Sequence, residues 1–189
     1  MAEKSQKRWG IFFILFIVII STLIYLRSDW FWRFVYPLEY DDIIISKAKE
    51  YGLDPSLVAG IIYVESKFIP NARSHRGAIG LMQIMPETGK WIADKFSLSG
   101  FTEEKLLNPE INIMFGCWYL ADLKKQFEET IIVLAAYNAG RGNVKKWLDN
   151  KHWDGRHTTI DQLPFEETKN YLRLVLRVSE KYRKIYNLD

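Results

Sequence analysis

The sequence has few of the residues that build disulfides or metal sites. A single cysteine, Cys117, excludes an internal disulfide. The three histidines are scattered, no His-Glu-x-x-His pattern occurs, and there is no Cys-x-x-Cys pair to hold zinc. We therefore expect neither a metal ion nor any other cofactor.

Net charge is also missing from most of the chain. The 189 residues include 26 Lys and Arg against 23 Asp and Glu, which gives a net charge of +3. Residues 1–36 account for all of this excess, with five basic and two acidic residues, whereas residues 37–189 have 21 of each. Because a nucleic-acid-binding domain needs a basic face, nucleic acid is not an expected partner.

The N-terminal part contains a long apolar run. Residues 11–26 are interrupted only by Ser21 and Thr22. With the two preceding residues they would span roughly 27 Å as a helix, close to the thickness of the hydrocarbon core of a bilayer. Aromatic residues flank the run on both sides, as in interfacial belts, and the basic residues before it favour a cytoplasmic N-terminus.

A cleaved signal peptide is the alternative interpretation of this run. Its apolar region would be shorter and a small-x-small cleavage site would follow, but no Ala-x-Ala pattern is present. We therefore expect a single-pass protein of the cell membrane, with the lipid bilayer as one partner and the main domain outside the cytoplasm. The predicted organisation is a cytoplasmic N-terminus over 1–10, a transmembrane signal anchor over 11–28, a juxtamembrane linker over 29–39 and a folded domain over 40–189.

That folded domain has the pattern of a single, mostly α-helical unit. Asp54 followed by Pro55 is typical of a helix start, with Asp as N-cap and Pro at the first position. Pro86 and Pro109 mark two further starts, and apolar residues then recur at helical spacing. The remaining helices are expected over 102–105, 109–126, 130–137, 144–148 and 164–186.

Two segments lack a helical pattern. Residues 74–84 could contain a short hairpin, and residues 149–162 are expected to form a polar loop. Within that loop Trp153 is predicted to be an exposed aromatic residue. Trp118 and Trp147, in contrast, lie at the helical spacing typical of core residues.

Glu65 is an acidic residue on an otherwise apolar helix face. It follows Val58, Ile61 and Ile62 by seven, four and three residues, so that all four share one face. Burial of a carboxyl group raises its pKa, which suits a general acid working near neutral pH. The alternative is a glutamate at the helix end that points to solvent near Lys67, as most glutamates do.

Five short motifs follow one another along the chain. They are Glu65-Ser66, Gly80-Leu81-Met82-Gln83, Asn108-Pro109-x-x-Asn112-Ile113-x-x-Gly116-x-x-Tyr119-Leu120, Ala136-Tyr137-Asn138-Ala139-Gly140 and Glu167-Thr168-x-x-Tyr171. In order and spacing they resemble lytic transglycosylases of the soluble type, whose fold is similar to goose-type lysozyme. The resemblance covers about residues 42–182 and implies a lysozyme-like helical catalytic domain over 40–189.

The same resemblance implies roles for individual residues. Glu65 matches the catalytic acid and base, and Tyr137 matches the tyrosine that faces it. Arg141 is a departure, because proline is common at its position. The implied substrate-binding residues are Ser74, Met82, Gln83, Tyr137, Asn138 and Glu167.

The implied function is that of a glycosidic bond-cleaving lyase acting on peptidoglycan strands in murein turnover of the cell wall. Protonated Glu65 would donate to the oxygen of the β-1,4 bond between N-acetylmuramic acid and N-acetylglucosamine. The ionised carboxylate would then deprotonate the muramyl 6-hydroxyl, which leaves a 1,6-anhydro end. A goose-type lysozyme-like hydrolase and a non-catalytic glycan-binding scaffold of the cell wall remain as alternatives.

Overall fold

The chain forms two compact units, residues 1–37 and 38–189, in a computed structural model. The structure describes the backbone of residues 2–27 and 29–188. It does not describe the side chains of residues 2–8, 10, 11, 13, 26, 27 and 29.

The first unit contains two helices, α1 (Ala2–Arg27) and α2 (Asp29–Val35). The described apolar side chains of α1 from Ile14 to Ile24 are exposed. Near the end of α1, Tyr25 packs edge-on against Phe31, with 5.3 Å between ring centroids.

Among the residues that the structure describes, no helix is both long and apolar enough to cross a membrane. The transmembrane anchor predicted over 11–28 is therefore not supported by the structure. Residue 28 and the side chains of residues 11, 13, 26 and 27 lie outside the described part of this segment. The predicted boundaries of the cytoplasmic N-terminus and the linker stay predictions.

The second unit consists of helices that lie between Asp41 and Tyr186 and are joined by loops. This confirms the predicted mostly α-helical class. Two 3₁₀ helices, Glu103–Leu107 and His157–Gln162, supplement the α-helices. No strand forms within residues 38–188. The α-helices are α3 (Asp41–Glu50), α4 (Pro55–Ser66), α5 (Pro86–Lys95), α6 (Pro109–Gln126), α7 (Thr130–Ala139), α8 (Arg141–Asp149) and α9 (Glu166–Tyr186).

Prolines at the first helical position begin α4, α5 and α6, as predicted. The Asp54 carboxylate accepts a hydrogen bond from the Ser56 amide at 2.8 Å, and the Asn108 side chain accepts one from the Ile111 amide at 3.0 Å. These caps satisfy amide groups that the first turn of a helix leaves without a partner. The starts of α4 and α6 are thus determined by a proline and its capping neighbour.

Helices α4 and α9 pack antiparallel through the centre of the domain. Asp54, before α4, forms an ion pair with Arg183 near the end of α9. A side chain at Gly60 would collide with Ser179, so the glycine allows the two helices to approach closely. The aromatic ring of Tyr182 packs against that of Tyr63 at 6.0 Å between centroids. This arrangement brings the end of α4 beside the beginning of α9.

Several local predictions need correction. Trp153 is 1% exposed rather than an exposed loop residue, because its ring is part of the core and its indole nitrogen donates to the Arg156 carbonyl at 3.3 Å. Its loop also contains the second 3₁₀ helix. The possible hairpin over the described residues 74–84 does not form as a pair of strands. Ile79 instead makes two isolated antiparallel bridges, with Arg73 and Ile84. Trp147 is buried, as predicted, and Trp118 is half-buried.

Candidate active site

A pocket with a volume of about 350 Å³ opens where the end of α4, the end of α7 and the beginning of α9 meet the loop between α4 and α5. It contains six of the seven residues predicted to form the site; Met82 is the exception. The lining residues are Glu65, Ser74, His75, Arg76, Ala78, Gln83, Met85, Tyr137, Asn138 and Glu167.

Glu65 lies in the last turn of α4, on the face that it shares with apolar residues. Val58, Ile61 and Ile62 are fully buried, whereas Glu65 remains partly accessible at the pocket. The helix ends at Ser66, and the next residue, Lys67, adopts a left-handed conformation with φ 53°. The carboxyl group is therefore held by a rigid helix with one side open to the pocket.

Burial is the main cause that raises the pKa of Glu65 to about 7 from its ordinary value of 4.5. The Tyr171 hydroxyl acts in the opposite direction and lowers this pKa, while the negative charge of Glu167 raises it. The Tyr171 hydroxyl is itself buried and has no hydrogen bond of normal geometry within the described residues. Glu65 can consequently hold or release a proton near neutral pH.

The Gly-Leu-Met-Gln turn is anchored by the fully buried side chain of Asn112. The Asn112 amide oxygen accepts from the Met82 backbone amide at 2.7 Å. Its amide nitrogen donates to the carbonyls of Ile79 at 2.9 Å and Leu106 at 2.8 Å. Gly80 is required beside it, because φ is 81° and a Cβ atom would collide with the Asn112 side chain.

Gln83 follows this turn with a positive φ of 49°. Its amide nitrogen donates to the Gly80 carbonyl at 2.8 Å and to the Ala72 carbonyl at 3.3 Å. Because these two bonds hold the nitrogen within the protein, the amide oxygen is the group that can accept a hydrogen bond from a ligand.

Tyr137 and Asn138 reach the pocket from the last turn of α7. The Tyr137 hydroxyl donates to the Met82 carbonyl at 2.7 Å, which ties α7 to the Gly-Leu-Met-Gln turn. The Asn138 amide oxygen accepts from the Thr168 hydroxyl at 2.8 Å, which ties α7 to α9. Three elements that are distant in the sequence are thereby fixed around Glu65.

Met82 does not reach the pocket surface with its side chain, which is fully buried against Gly116. The contribution of Met82 is its backbone carbonyl, which binds Tyr137. Met85 lies at the pocket instead and is 41% exposed. The predicted substrate-binding role of the Met82 side chain stays a prediction, and its position is that of a core residue.

Ser74 and Glu167 lie on the rim of the pocket. The Ser74 hydroxyl accepts a hydrogen bond from the Ala78 amide at 2.9 Å and shapes the loop. Glu167 forms an ion pair with Arg76, with 2.9 Å between Nη2 and Oε2. Both partners are more than half exposed, so this pair adds little to stability but places a cation beside a second carboxylate at the mouth of the pocket.

Sequence patterns did not identify four of the lining residues, namely His75, Arg76, Ala78 and Met85. The predicted site residues Ser74 and Gln83 lie on either side of all of these except Met85. Tyr171 was part of a motif, but nothing in its spacing predicted that its hydroxyl would approach Glu65. Such contacts depend on the packing of α9 against α4.

Comparison with known proteins identifies relatives over most of the chain. Residues 42–160 match the family described as Transglycosylase SLT domain. The chain is 37% identical over 153 residues to the soluble lytic murein transglycosylase of Escherichia coli K12, covering 78% of this chain and 23% of that protein. It is 35% identical over 175 residues to membrane-bound lytic murein transglycosylase C of Actinobacillus pleuropneumoniae serotype 5b, covering 78% and 46%.

Solved structures show the same similarity. The 70 kDa soluble lytic transglycosylase of Escherichia coli superimposes with a TM-score of 0.75 at 34% identity, covering 82% of this chain and 26% of that one. An inactive mutant of lytic transglycosylase Slt from Pseudomonas aeruginosa gives 0.73 at 35% identity, covering 81% and 25%. The chain thus spans between about a quarter and a half of the length of these proteins.

Proposed function

Because the chain belongs to the Transglycosylase SLT domain family, we propose that it is a peptidoglycan lytic transglycosylase. The observation that carries this proposal is the placement of Glu65. A carboxyl group with a pKa of about 7 lies in a pocket whose other walls offer hydroxyl and amide groups. Such groups match the hydroxyl and acetamido groups of a glycan, and the relatives are named for the cleavage of murein.

Glu65 acts first as an acid and then as a base. Its proton passes to the oxygen of the β-1,4 bond between N-acetylmuramic acid and N-acetylglucosamine, and that bond breaks as the leaving hydroxyl forms. The 2-acetamido group of the substrate stabilises the positive charge at C1. The Glu65 carboxylate then removes the proton of the muramyl 6-hydroxyl, whose oxygen attacks C1 and forms the 1,6-anhydro ring.

The role of Glu167 distinguishes this mechanism from that of most glycosidases. Those enzymes use a pair of carboxylates, with substrate-assisted families as exceptions. Here the second carboxylate of the pocket is 62% exposed and is paired with Arg76. An exposed, paired Glu167 suits substrate binding and electrostatic tuning of Glu65, and the acetamido group replaces the second carboxylate in the chemistry.

The pH profile tests whether Glu65 is the acid. Because the first step needs the protonated form, we expect kcat/KM to fall as pH rises through about 7. Glu167→Gln removes a charge that raises this pKa and should shift the falling limb to lower pH. Tyr171→Phe removes a group that lowers it and should shift the limb to higher pH. Shifts in the same direction for both variants would contradict these roles.

Two other functions give different products from the same assay. The full-length chain is incubated in mild detergent with purified peptidoglycan, and the soluble fraction is analysed by mass spectrometry. We expect fragments with 1,6-anhydro ends. Reducing ends would identify a goose-type lysozyme-like hydrolase, and binding without any soluble fragment would identify a scaffold protein.

A location at the membrane is part of the proposal and rests on the apolar run of residues 11–26. The described side chains of α1 from Ile14 to Ile24 expose apolar surface that a bilayer would cover. In cells, the full-length chain should then remain in the membrane fraction after a carbonate wash, with residues 40–189 accessible to protease from outside the cytoplasm. Recovery of the chain in the soluble fraction would contradict this location.

A further inference from the structure

A second pocket lies between α5, α6 and α8, apart from the residues that surround Glu65. Its volume is about 380 Å³, within the roughly 300–1,000 Å³ typical of small-molecule sites. Glu87, Thr88, Trp91, Tyr119 and Arg141 line it. None of these side chains takes part in the proposed acid and base steps.

Two aromatic rings and a guanidinium group form the walls of this second pocket. The rings of Trp91 and Tyr119 lie nearly perpendicular to each other, with 6.3 Å between centroids. The guanidinium carbon of Arg141 lies 5.2 Å from the centre of the Trp91 ring and 5.3 Å from that of Tyr119. An ion pair with Asp122, 2.9 Å between Nη2 and Oδ2, fixes its orientation. The side chains of Trp91, Tyr119 and Arg141 are all partly accessible.

The second pocket adjoins the first. The Tyr119 ring packs against the Tyr137 ring at 5.6 Å between centroids, and Tyr137 lines the pocket of Glu65. On the other side, Met85 lines the first pocket and Glu87, two residues later, lines the second. The two pockets are therefore neighbours, connected by the Tyr137 and Tyr119 rings and by residues 85–87.

The chemistry of the second pocket fits an uncharged sugar ring. A pyranose ring has an apolar face for an aromatic side chain, and hydroxyl groups at its edge for planar donors and acceptors. The charges of Glu87 and Arg141 oppose each other, and Asp122 engages part of the guanidinium group. The pocket consequently has no excess positive charge with which to select a carboxylate.

We propose that Trp91, Tyr119 and Arg141 form an additional subsite for a neutral N-acetylhexosamine ring of the strand that is cleaved beside Glu65. This inference rests on the proposed function and specifies how much of the strand the protein holds. The guanidinium group of Arg141 lies beside both rings, where its N–H groups can donate to the hydroxyl groups at the edge of a sugar. The subsite should therefore favour longer strands.

Binding measurements in the Glu65→Gln chain test the subsite independently of turnover. Calorimetry with purified peptidoglycan tetrasaccharides and octasaccharides, each with and without peptide stems, gives the dissociation constants. Adding Trp91→Ala or Arg141→Gln should weaken octasaccharide binding about three- to tenfold and weaken tetrasaccharide binding by a smaller factor. Trp91→Tyr, which keeps a ring, should recover most of the affinity. Tyr186→Phe, which alters an aromatic residue that lines neither pocket and stacks on Tyr182, is the matched control.

The outcomes separate this subsite from the proposed function. Equal octasaccharide affinity in the Trp91→Ala and Arg141→Gln chains would overturn the subsite. A loss confined to stem-bearing strands would overturn the neutral-sugar assignment, since it would indicate recognition of a carboxylate. Failure of the unmodified chain to cleave any strand would overturn the transglycosylase proposal alone, because the binding result does not depend on turnover.

Discussion

Glu65→Gln should reduce the release of soluble fragments from peptidoglycan by roughly 10²–10⁴-fold, the contribution typical of a positioned general acid or base. The loss should lie at the upper end of this range, because the same carboxyl group performs both proton transfers in the proposed mechanism. A glutamine amide keeps the size and polarity of the side chain but cannot deliver a proton. Initial rates of fragment release by the full-length chain provide the measurement.

A matched control distinguishes lost chemistry from lost structure. Glu110→Gln changes an exposed glutamate outside the pocket and should leave the rate unchanged. Retention of more than a tenth of the unmodified activity in the Glu65→Gln chain would contradict the assignment of Glu65.

Glu65→Gln should also increase the stability of the protein at alkaline pH. The pKa of Glu65 is about 7 in the folded state, above its ordinary value of 4.5, so the folded state favours the protonated form. The unmodified chain should therefore lose roughly 3 kcal/mol of unfolding free energy relative to the glutamine variant as pH rises from 4.5 through 7. Loss of activity together with a gain of stability is the result expected for a buried catalytic carboxyl group.

Asn112→Leu is the substitution expected to destabilise the domain most. It leaves the Met82 amide and the carbonyls of Ile79 and Leu106 without their hydrogen-bond partner in a fully buried position. Three unsatisfied groups at about 1–3 kcal/mol each would cost about 3–9 kcal/mol, and we expect the lower part of this range, about 3–5 kcal/mol of unfolding free energy, because single substitutions rarely cost more. Activity should fall with it, because the turn that positions Gln83 loses its anchor. Urea unfolding followed by circular dichroism provides the measurement.

Asn143→Leu is the control for this effect. Asn143 makes a single side-chain hydrogen bond, to the Ala139 carbonyl at 2.8 Å, in a partly exposed position. Its replacement should cost about 1 kcal/mol or less. Equal destabilisation by the two leucine substitutions would contradict the role of Asn112 as the anchor of the turn.

Local sequence signals were sufficient to predict most α-helices of the second unit, although α3 and the 3₁₀ helix at His157–Gln162 were not predicted. The beginnings of α4 and α6 depend on a proline and its capping neighbour, both visible in two adjacent residues. The shared face of Glu65 and Ile62 follows from helical spacing alone. The family motifs then selected the pocket residues, because their order along the chain is a stronger signal than any single motif.

Contacts between distant segments were not predictable in the same way. Trp153 lies in a polar stretch of sequence, yet it is buried in the core of the folded domain. Arg76 and Glu167 are 91 residues apart and form a pair only because α9 packs against α4. The burial of Met82 against Gly116 likewise depends on the close approach of α6 to the Gly-Leu-Met-Gln turn.

Product analysis in ¹⁸O-labelled water tests most directly whether the muramyl 6-hydroxyl, deprotonated by Glu65, is the group that attacks C1. The full-length chain is incubated with purified peptidoglycan, and the fragments are weighed by mass spectrometry. The proposed mechanism predicts fragments that are lighter than hydrolysis products by one water and carry no ¹⁸O, because the attacking oxygen comes from the substrate itself. Fragments with reducing ends that contain ¹⁸O would show that water is the acceptor and would contradict the mechanism.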